Sequence, residues 1–327
     1  MKLNTIIIVA GEPYSTFLEI FFKTYNSKLI KKYNKKIILI VSKNLLIKQM
    51  KKLNYYFEIN EIDPKKIKKS YRNKMINIIN VNFNFIKTFD KISNKSSNYI
   101  EKCFIVALNL LKENKRFALI NGPISKKYFL KKKYLGITEY LASKAKRSKK
   151  EVMLIYNKNL AVSPITTHIP IKKVNKKINK KKIISNILTI NEFYKKQFNK
   201  IPRFLITGLN PHCESNLGPI EEKTIIEPAV KFLKNKKIKI NGPLPADTIF
   251  MNEKIKKNDV VIGMYHDQVL TPIKALYEFN AINLTLGLPF IRVSPDHGPN
   301  SQMLGKNLSN ANSLKEALIF LNKISVN

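Results

Sequence analysis

The chain has no tryptophan, two cysteines, ten glycines and four histidines in 327 residues, and each shortage excludes something. Two thiols, Cys103 and Cys213, cannot build a disulfide framework and show no C-x-x-C spacing, so a reducing compartment is expected. With so few glycines, neither G-x-G-x-x-G nor G-x-x-x-x-G-K-[ST] occurs, which excludes the usual dinucleotide fingerprint and the P-loop. Any nucleotide must be held in another way. Long apolar runs are missing too, since no window approaches the roughly 18 uncharged apolar residues of a spanning helix. The N-terminal run Ile6 to Ala10 is shorter than a signal h-region and ends in Gly11-Glu12-Pro13, which reads as a first strand entering a turn. A soluble cytoplasmic protein with no membrane partner is the expectation.

Acidic residues are scarce as well. Asp and Glu number 22 against 60 Lys and Arg, a formal net charge of +38. Such a surface would condense on a phosphate backbone. Yet only five of the basic residues are arginine (Arg72, Arg116, Arg147, Arg203 and Arg292), the type that favours bidentate phosphate and base-edge contacts. The lysines fall in groups such as Lys172-Lys173, Lys176-Lys177 and Lys180-Lys181-Lys182, which form solvated faces. No specific nucleic-acid partner is expected.

Short apolar runs alternate with amphipathic, lysine-rich stretches. Strands are predicted at Thr5–Ala10, Lys36–Val41, Phe117–Ile120, Val152–Tyr156, Leu160–Val162, Phe204–Thr207, Val260–Met264 and Ala281–Leu284. Helices are predicted at Phe17–Lys23, Tyr99–Glu113, Thr138–Ala145, Ile183–Gln197, Thr224–Lys234 and Leu314–Leu321. This alternation predicts an α/β fold with mostly parallel, doubly wound sheets. In such folds ligands bind beyond the carboxyl ends of the strands. There is no internal repeat, and Asn54–Lys74, charged and without apolar period, reads as a surface excursion.

The four histidines are His168, His212, His266 and His297, each in a short polar turn, and the first three follow apolar runs. Imidazole is the commonest metal ligand and titrates near neutral pH, so this placement suits a site. Only a fold could bring them together, because gaps of 44 and 54 residues separate the first three. Singly, each is better explained as a capping or hydrogen-bonded structural residue, and only the shared context favours a site. Four turn segments concentrate reactive groups: Asn121 to Lys126, Gly208 to His212, Asn241 to Thr248 (a proline-stiffened loop aiming Asp247), and Tyr265 to Gln268, with Lys274, Asn283 and Arg292 close behind.

Taken together these segments resemble the 4-hydroxythreonine-4-phosphate dehydrogenases of vitamin B6 biosynthesis. The matching residues run from Gly11-Glu12-Pro13 through Gly122-Pro123, Thr138-Glu139, Thr166-Thr167-His168, Gly208 to His212, Asn241 to Thr248, Met264 to Gln268 and Asn283 to Arg292, ending at Asp296-His297-Gly298. The resemblance implies two α/β domains like those of isocitrate and isopropylmalate dehydrogenases, residues 1–130 plus 280–327 and residues 131–279, the second carrying the metal ligands and dimer contacts. It implies a homodimer whose subunits share the active site. It implies NAD- or NADP-dependent oxidation and decarboxylation of 4-phosphooxy-L-threonine to 3-amino-2-oxopropyl phosphate, assisted by one divalent ion (zinc, magnesium or cobalt) per subunit. His168, His212 and His266 take the family's metal positions, and Thr138, Lys274, Asn283 and Arg292 its substrate positions, the last three around the phosphate. Asp247 and Asp267 are the candidate catalytic carboxylates, orienting histidines or relaying a proton. The residues that hold the nicotinamide are not identified.

The chain departs from the family pattern in three places. The family's Gly-His-Thr-Glu stands here as Gly136-Ile137-Thr138-Glu139, and isoleucine neither donates nor accepts a hydrogen bond. After Gly11-Glu12-Pro13 comes Tyr14-Ser15-Thr16-Phe17 in place of small residues, and the stretch after His212 is shortened and carries Cys213. Two other readings therefore stand beside the first: a dehydrogenase of another phosphorylated four-carbon hydroxy acid, and a decayed homologue kept for binding.

Overall fold

A computed structural model of the chain describes residues 3–131, 133–147, 150–214, 216, 220–251, 254–295 and 298–324. Asp296 and His297 lie outside the described residues. The chain forms two compact units, Met1–Ser148 with Leu288–Asn327, and Lys149–Gly287.

The first unit begins with β1 (Thr5–Val9), α1 (Phe17–Tyr25), α2 (Lys28–Lys31), β2 (Lys36–Val41) and α3 (Lys43–Lys52). It continues through β3 (Ile59–Glu61), α4 (Ile67–Ser70), β4 (Ile76–Asn80), α5 (Ser97–Glu113), β5 (Phe117–Asn121) and α6 (Ile137–Lys144). The second unit holds β6 (Val152–Tyr156), β7 (Leu160–Thr166), α7 (Lys180–Phe198), β8 (Phe204–Thr207), α8 (Glu227–Asn235), β9 (Ile240–Leu244), β10 (Asp259–Tyr265), α9 (His266–Tyr277) and β11 (Ile282–Leu286). The chain then returns to the first unit with β12 (Ile291–Pro295) and α10 (Asn312–Lys323).

In the first unit the strand order is β3-β4-β2-β1-β5-β12, and every pairing is parallel. Strands such as Thr-Ile-Ile-Ile-Val are buried at every position, as a parallel sheet covered on both faces requires. Tyr99, Ile100, Cys103, Phe104 and Ala107 of α5 bury one face of that helix at helical spacing. The order reverses between β1 and β5, so the loops after these two strands diverge at a topological switch point, where open α/β sheets bind ligands. The two loops are joined there. Glu12 donates its backbone N–H to Pro123 O at 2.9 Å, and Gly122 donates to Val9 O at 2.8 Å. Gly11 sits at φ +80, and a Cβ on it would lie 2.3 Å from Pro123 O, so only glycine fits. Tyr14 is buried against Phe83, with ring centroids 5.8 Å apart, so the residues that replace the family's small ones fill this turn with packed side chains.

The second unit has the order β11-β6-β7-β10-β8-β9. Pairings β11–β6 and β6–β7 are antiparallel, and β7–β10, β10–β8 and β8–β9 are parallel. The mostly parallel α/β expectation therefore holds, with an antiparallel portion in this unit.

Several elements differ from the sequence-based expectation. Leu160–Val162 extends to Thr166, and the first half of the loop expected at Asn241–Thr248 is the edge strand β9, where Pro243 is tolerated because an edge strand has free N–H positions. Asn54–Lys74 contains β3 and α4. α3 was hidden by its lysines and α9 by its polar start and internal Pro272. Tyr140 and Leu141 of α6 pack into the core of the first unit, and β11 pairs with β6 within the second.

Candidate functional site

Three parallel strands of the second unit, β7, β10 and β8, lie side by side in that order. Each is followed within a few residues by one histidine: His168 after β7, His266 after β10 and His212 after β8. Adjacent strands are about 4.8 Å apart, so their carboxyl ends are a natural place for imidazoles to meet. His168 and His266 do so, with ring centroids 5.6 Å apart. Asp267 Oδ1 lies 2.6 Å from His266 Nδ1. A proton held on Nδ1 leaves Nε2 as the free acceptor, the form that binds a metal. His212 is placed differently: its Nδ1 is 3.9 Å from Asp247 Oδ2, and its backbone is left-handed at φ 53, as is that of Cys213 at φ 63. Burial raises the Cys213 thiol pKa, so it stays protonated at neutral pH. Among the described residues no three His, Cys, Asp or Glu side chains form a group able to hold a metal ion. Two of the three expected imidazoles, His168 and His266, are thus brought together, and His212 lies against Asp247.

A largely buried hydrogen-bond network ties these strand ends together. Gln268, in the first turn of α9, accepts from Met264 N (2.7 Å) and Thr207 Oγ1 (2.8 Å) and donates to Gly208 O (2.8 Å). It thereby joins the end of β10 to the end of β8. Thr166 Oγ1 donates to Met264 O at 2.7 Å, joining β7 to β10. Glu222 is buried and accepts from Leu209 N (2.6 Å), Asn210 N (2.8 Å) and Asn210 Nδ2 (2.9 Å), fixing the turn that leads to His212. Burial pushes the Glu222 carboxyl up, but the donors of Asn210 and Leu209 outweigh it and hold the pKa below its ordinary value. Gly208 is required here, because a Cβ would lie 2.7 Å from Glu222 Oε1 and 2.6 Å from Cys213 Sγ.

The first unit holds the other candidate cluster. Arg292 on β12 is 1% exposed, an unusual place for a guanidinium. Its Nε donates to Asn121 Oδ1 at 2.7 Å, and its Nη1 to Thr138 Oγ1 at 3.4 Å. Burial lowers its pKa to about 9, with Glu139 acting in the opposite direction, so it remains a cation at neutral pH. Asn121, the last residue of β5, was not singled out from sequence, although the segment it opens was. Ile137 packs on the hydrophobic core of this unit. In the second unit, Lys274 stands two turns beyond His266 on α9, and Asn283 on β11 has its side-chain oxygen buried without a hydrogen-bond partner.

Residues 33–320 match the family described as pyridoxal phosphate biosynthetic protein PdxA. A 4-hydroxythreonine-4-phosphate dehydrogenase of Sulfurihydrogenibium sp. (strain YO3AOP1) is 41% identical over 249 residues, 75% of each chain. One from Wigglesworthia glossinidia brevipalpis is 34% identical over 333 residues, covering 97% of this chain and 95% of that one. The crystal structure of a 4-hydroxythreonine-4-phosphate dehydrogenase from Klebsiella pneumoniae aligns with a TM-score of 0.83 at 26% identity, covering 99% of both chains. A terephthalate 1,2-cis-dihydrodiol dehydrogenase from Burkholderia xenovorans LB400 shares the fold, with a TM-score of 0.63 at 18% identity over 98% of both chains.

Proposed function

The chain belongs to the PdxA family of pyridoxal phosphate biosynthetic proteins, and from this we propose that it is an NAD- or NADP-dependent oxidoreductase that converts 4-phosphooxy-L-threonine to 3-amino-2-oxopropyl phosphate and carbon dioxide. The observation that carries the proposal is the buried Arg292 with its Asn121 and Thr138 partners. A desolvated guanidinium held in a fixed plane is suited to a phosphomonoester, because it offers paired donors and a charge undiminished by water. Thr138 beside it offers a hydroxyl to the same ligand. Lys274 and Asn283 carry the phosphate-contacting roles that the resemblance implies for them.

The chemistry needs three things from the protein: removal of the C3 hydroxyl proton, departure of a hydride, and a sink for the charge left when carbon dioxide leaves. A bound nicotinamide would supply the hydride acceptor. A divalent ion (zinc, magnesium or cobalt) held by His168 and His266, with His212 as third ligand, would supply Lewis-acid stabilisation of the developing negative charge. Asp267 keeps His266 Nε2 in its acceptor form by holding Nδ1–H. Asp247, whose Oδ2 lies 3.9 Å from His212 Nδ1, is the carboxylate that would orient that ring. The working form in this reading is a cytoplasmic homodimer whose second domain makes the dimer contacts. No helix among the described residues is long and apolar enough to cross a membrane.

The test is reduced-nicotinamide formation by the purified protein with 4-phosphooxy-L-threonine and, separately, erythronate 4-phosphate. Turnover on the first supports the proposal. Turnover confined to the second would reassign the chain to another phosphorylated four-carbon hydroxy acid, and turnover on neither would make it a non-catalytic homologue.

A further inference from the structure

Lys36 of β2, Thr5 of β1 and Phe117 of β5 stand in one row across the sheet of the first unit, since Thr5 is in register with both of the others. All three lie at the amino ends of their strands. Backbone bonds hold those ends together: Asn4 N donates to Arg116 O at 3.1 Å, and Lys36 N donates to Asn4 O at 2.9 Å. The row lines a cavity of about 930 Å³, within the size range of small-molecule sites. Its walls are Pro64 to Lys69, which runs into α4, and Glu113 to Arg116, where α5 ends. Thr5, Ile67 and Phe117 are buried at its base, and Lys65, Lys66, Lys68 and Lys69 are exposed around them. About 13 Å of strand, at roughly 3.3 Å per residue, separates Phe117 from Asn121 at the other end of β5, so the cavity is distinct from the Arg292 cluster.

Seven of the fourteen lining residues are lysine or arginine, against 60 of 327 in the whole chain, so the cavity exceeds even the chain's general excess of lysine. Arg116 is one of only five arginines. A single carboxylate, Glu113, lines the same space. None of the seven cations is in an ion pair among the described residues. Lys36 Nζ instead lies 5.1 Å from the centre of the Tyr71 ring, and Asp63, just before Pro64, accepts from Lys65 N at 2.9 Å to cap the turn. Like charges gathered in one concavity raise the local potential and repel one another. A multivalent anion relieves that repulsion.

We infer that this cavity binds a triphosphate chain, carried by a nucleoside triphosphate or by inorganic triphosphate. Such a chain is rich in charged acceptor oxygens, and it matches several ammonium donors set around a planar guanidinium. A single phosphate engages too few of the seven cations to be held tightly. A nucleic-acid strand, whose charge is spread along an open backbone, fits a cavity of this size poorly. The inference draws nothing from the dehydrogenase reading and stands or falls apart from it. Because the lining belongs to one folded unit, a bound triphosphate should also raise its Tm.

The experiment titrates the intact chain by calorimetry at about 0.15 M ionic strength, where weak long-range attraction is screened, with inorganic triphosphate, ATP, AMP and inorganic phosphate. The wild type should bind one triphosphate per chain, at least tenfold more tightly than AMP or phosphate. The triple variant Lys65→Ala, Lys68→Ala, Arg116→Ala should lose at least that margin. A control, Lys176→Ala, Lys177→Ala, Lys181→Ala, removes the same charge from exposed positions of the second unit and should bind as the wild type does. Glu113→Gln should bind triphosphate severalfold more tightly, a gain that misfolding cannot produce. Equal affinity for ATP and inorganic triphosphate would support the site with the phosphate chain alone as ligand, and tighter ATP binding would support it with a nucleotide as ligand. The inference is overturned if several triphosphates bind per chain, if the two triple variants lose affinity equally, or if Glu113→Gln binds no more tightly than the wild type. Displacement of triphosphate by a single-stranded oligonucleotide at lower concentration than by ATP would overturn it as well.

Discussion

Replacing Gln268 with leucine tests whether the strand-end network sets the geometry of the histidine site. The substitution conserves bulk but strands three groups: Met264 N–H, Thr207 Oγ1 and Gly208 O, the first two on residues with no solvent exposure. Each bond contributes about 0.5–1.5 kcal/mol net, and orphaned buried groups cost toward the upper end, so unfolding free energy should fall by about 3 kcal/mol. The same loss frees the turn before His212 from the start of α9, and outer-shell losses of this kind weaken metal binding about 10- to 100-fold. Gln268→Glu separates the parts of the argument. The new carboxyl keeps both accepted bonds but, when ionised, turns an oxygen on Gly208 O, which raises its folded pKa above the unfolded value. Its stabilisation is then present below the unfolded pKa and lost as pH rises through the folded one, so Gln268→Glu should approach wild-type stability at pH 5 and fall toward Gln268→Leu at pH 8. Urea denaturation at the two pH values and the visible spectrum of bound cobalt report the two effects. A leucine variant as stable as the wild type, with an unchanged cobalt affinity, would refute the reasoning.

Three further outcomes are expected. Burial raises the Glu12 carboxyl from 4.5 to about 7, against hydrogen bonds from Ser96 and the Tyr14 backbone that pull it down. The folded pKa being raised, its stabilisation is present below the unfolded value and lost as pH rises through about 7, worth roughly 3 kcal/mol at about 1.4 kcal/mol per pH unit; Glu12→Gln should flatten the stability profile between pH 5 and 8 in denaturant titrations. His168→Ala and His266→Ala should each reduce the affinity for cobalt more than His212→Ala does, because only the first two rings are adjacent, and equal losses in competition titrations would show that His212 joins them in solution. Ile137→His should not raise kcat/KM, since the half-buried side chain packs on the core of the first unit, and its stability should drop by about 1 kcal/mol for a polar ring partly buried there; a gain in kcat/KM would show that this position reaches substrate.

Strands and helices with strong periodicity were legible in the sequence, because β-branched runs such as Ile6 to Val9 and the apolar spacing of α5 reflect burial on a repeat that the chain itself carries. β12 was not among the predicted strands, and α9 was missed because its first turn is the polar His-Asp-Gln and Pro272 lies inside it. The histidines at strand ends were visible as residue types in turn contexts. Their grouping was not, because adjacency of β7, β10 and β8 follows from sheet order, which no local pattern encodes. Glu222 was silent, and Gln268 and Asn121 were visible only as members of turn segments, for the same reason: a single amide or carboxylate has no period or motif, and its role exists only once particular strand ends meet. The chain's own residues decided which segments are strands, which turns are reactive and which family they resemble. Which imidazoles become neighbours, and which buried groups hold them, was decided by packing distant segments into one sheet, since hydrogen bonds of 3 Å or less depend on positions that only the folded backbone defines.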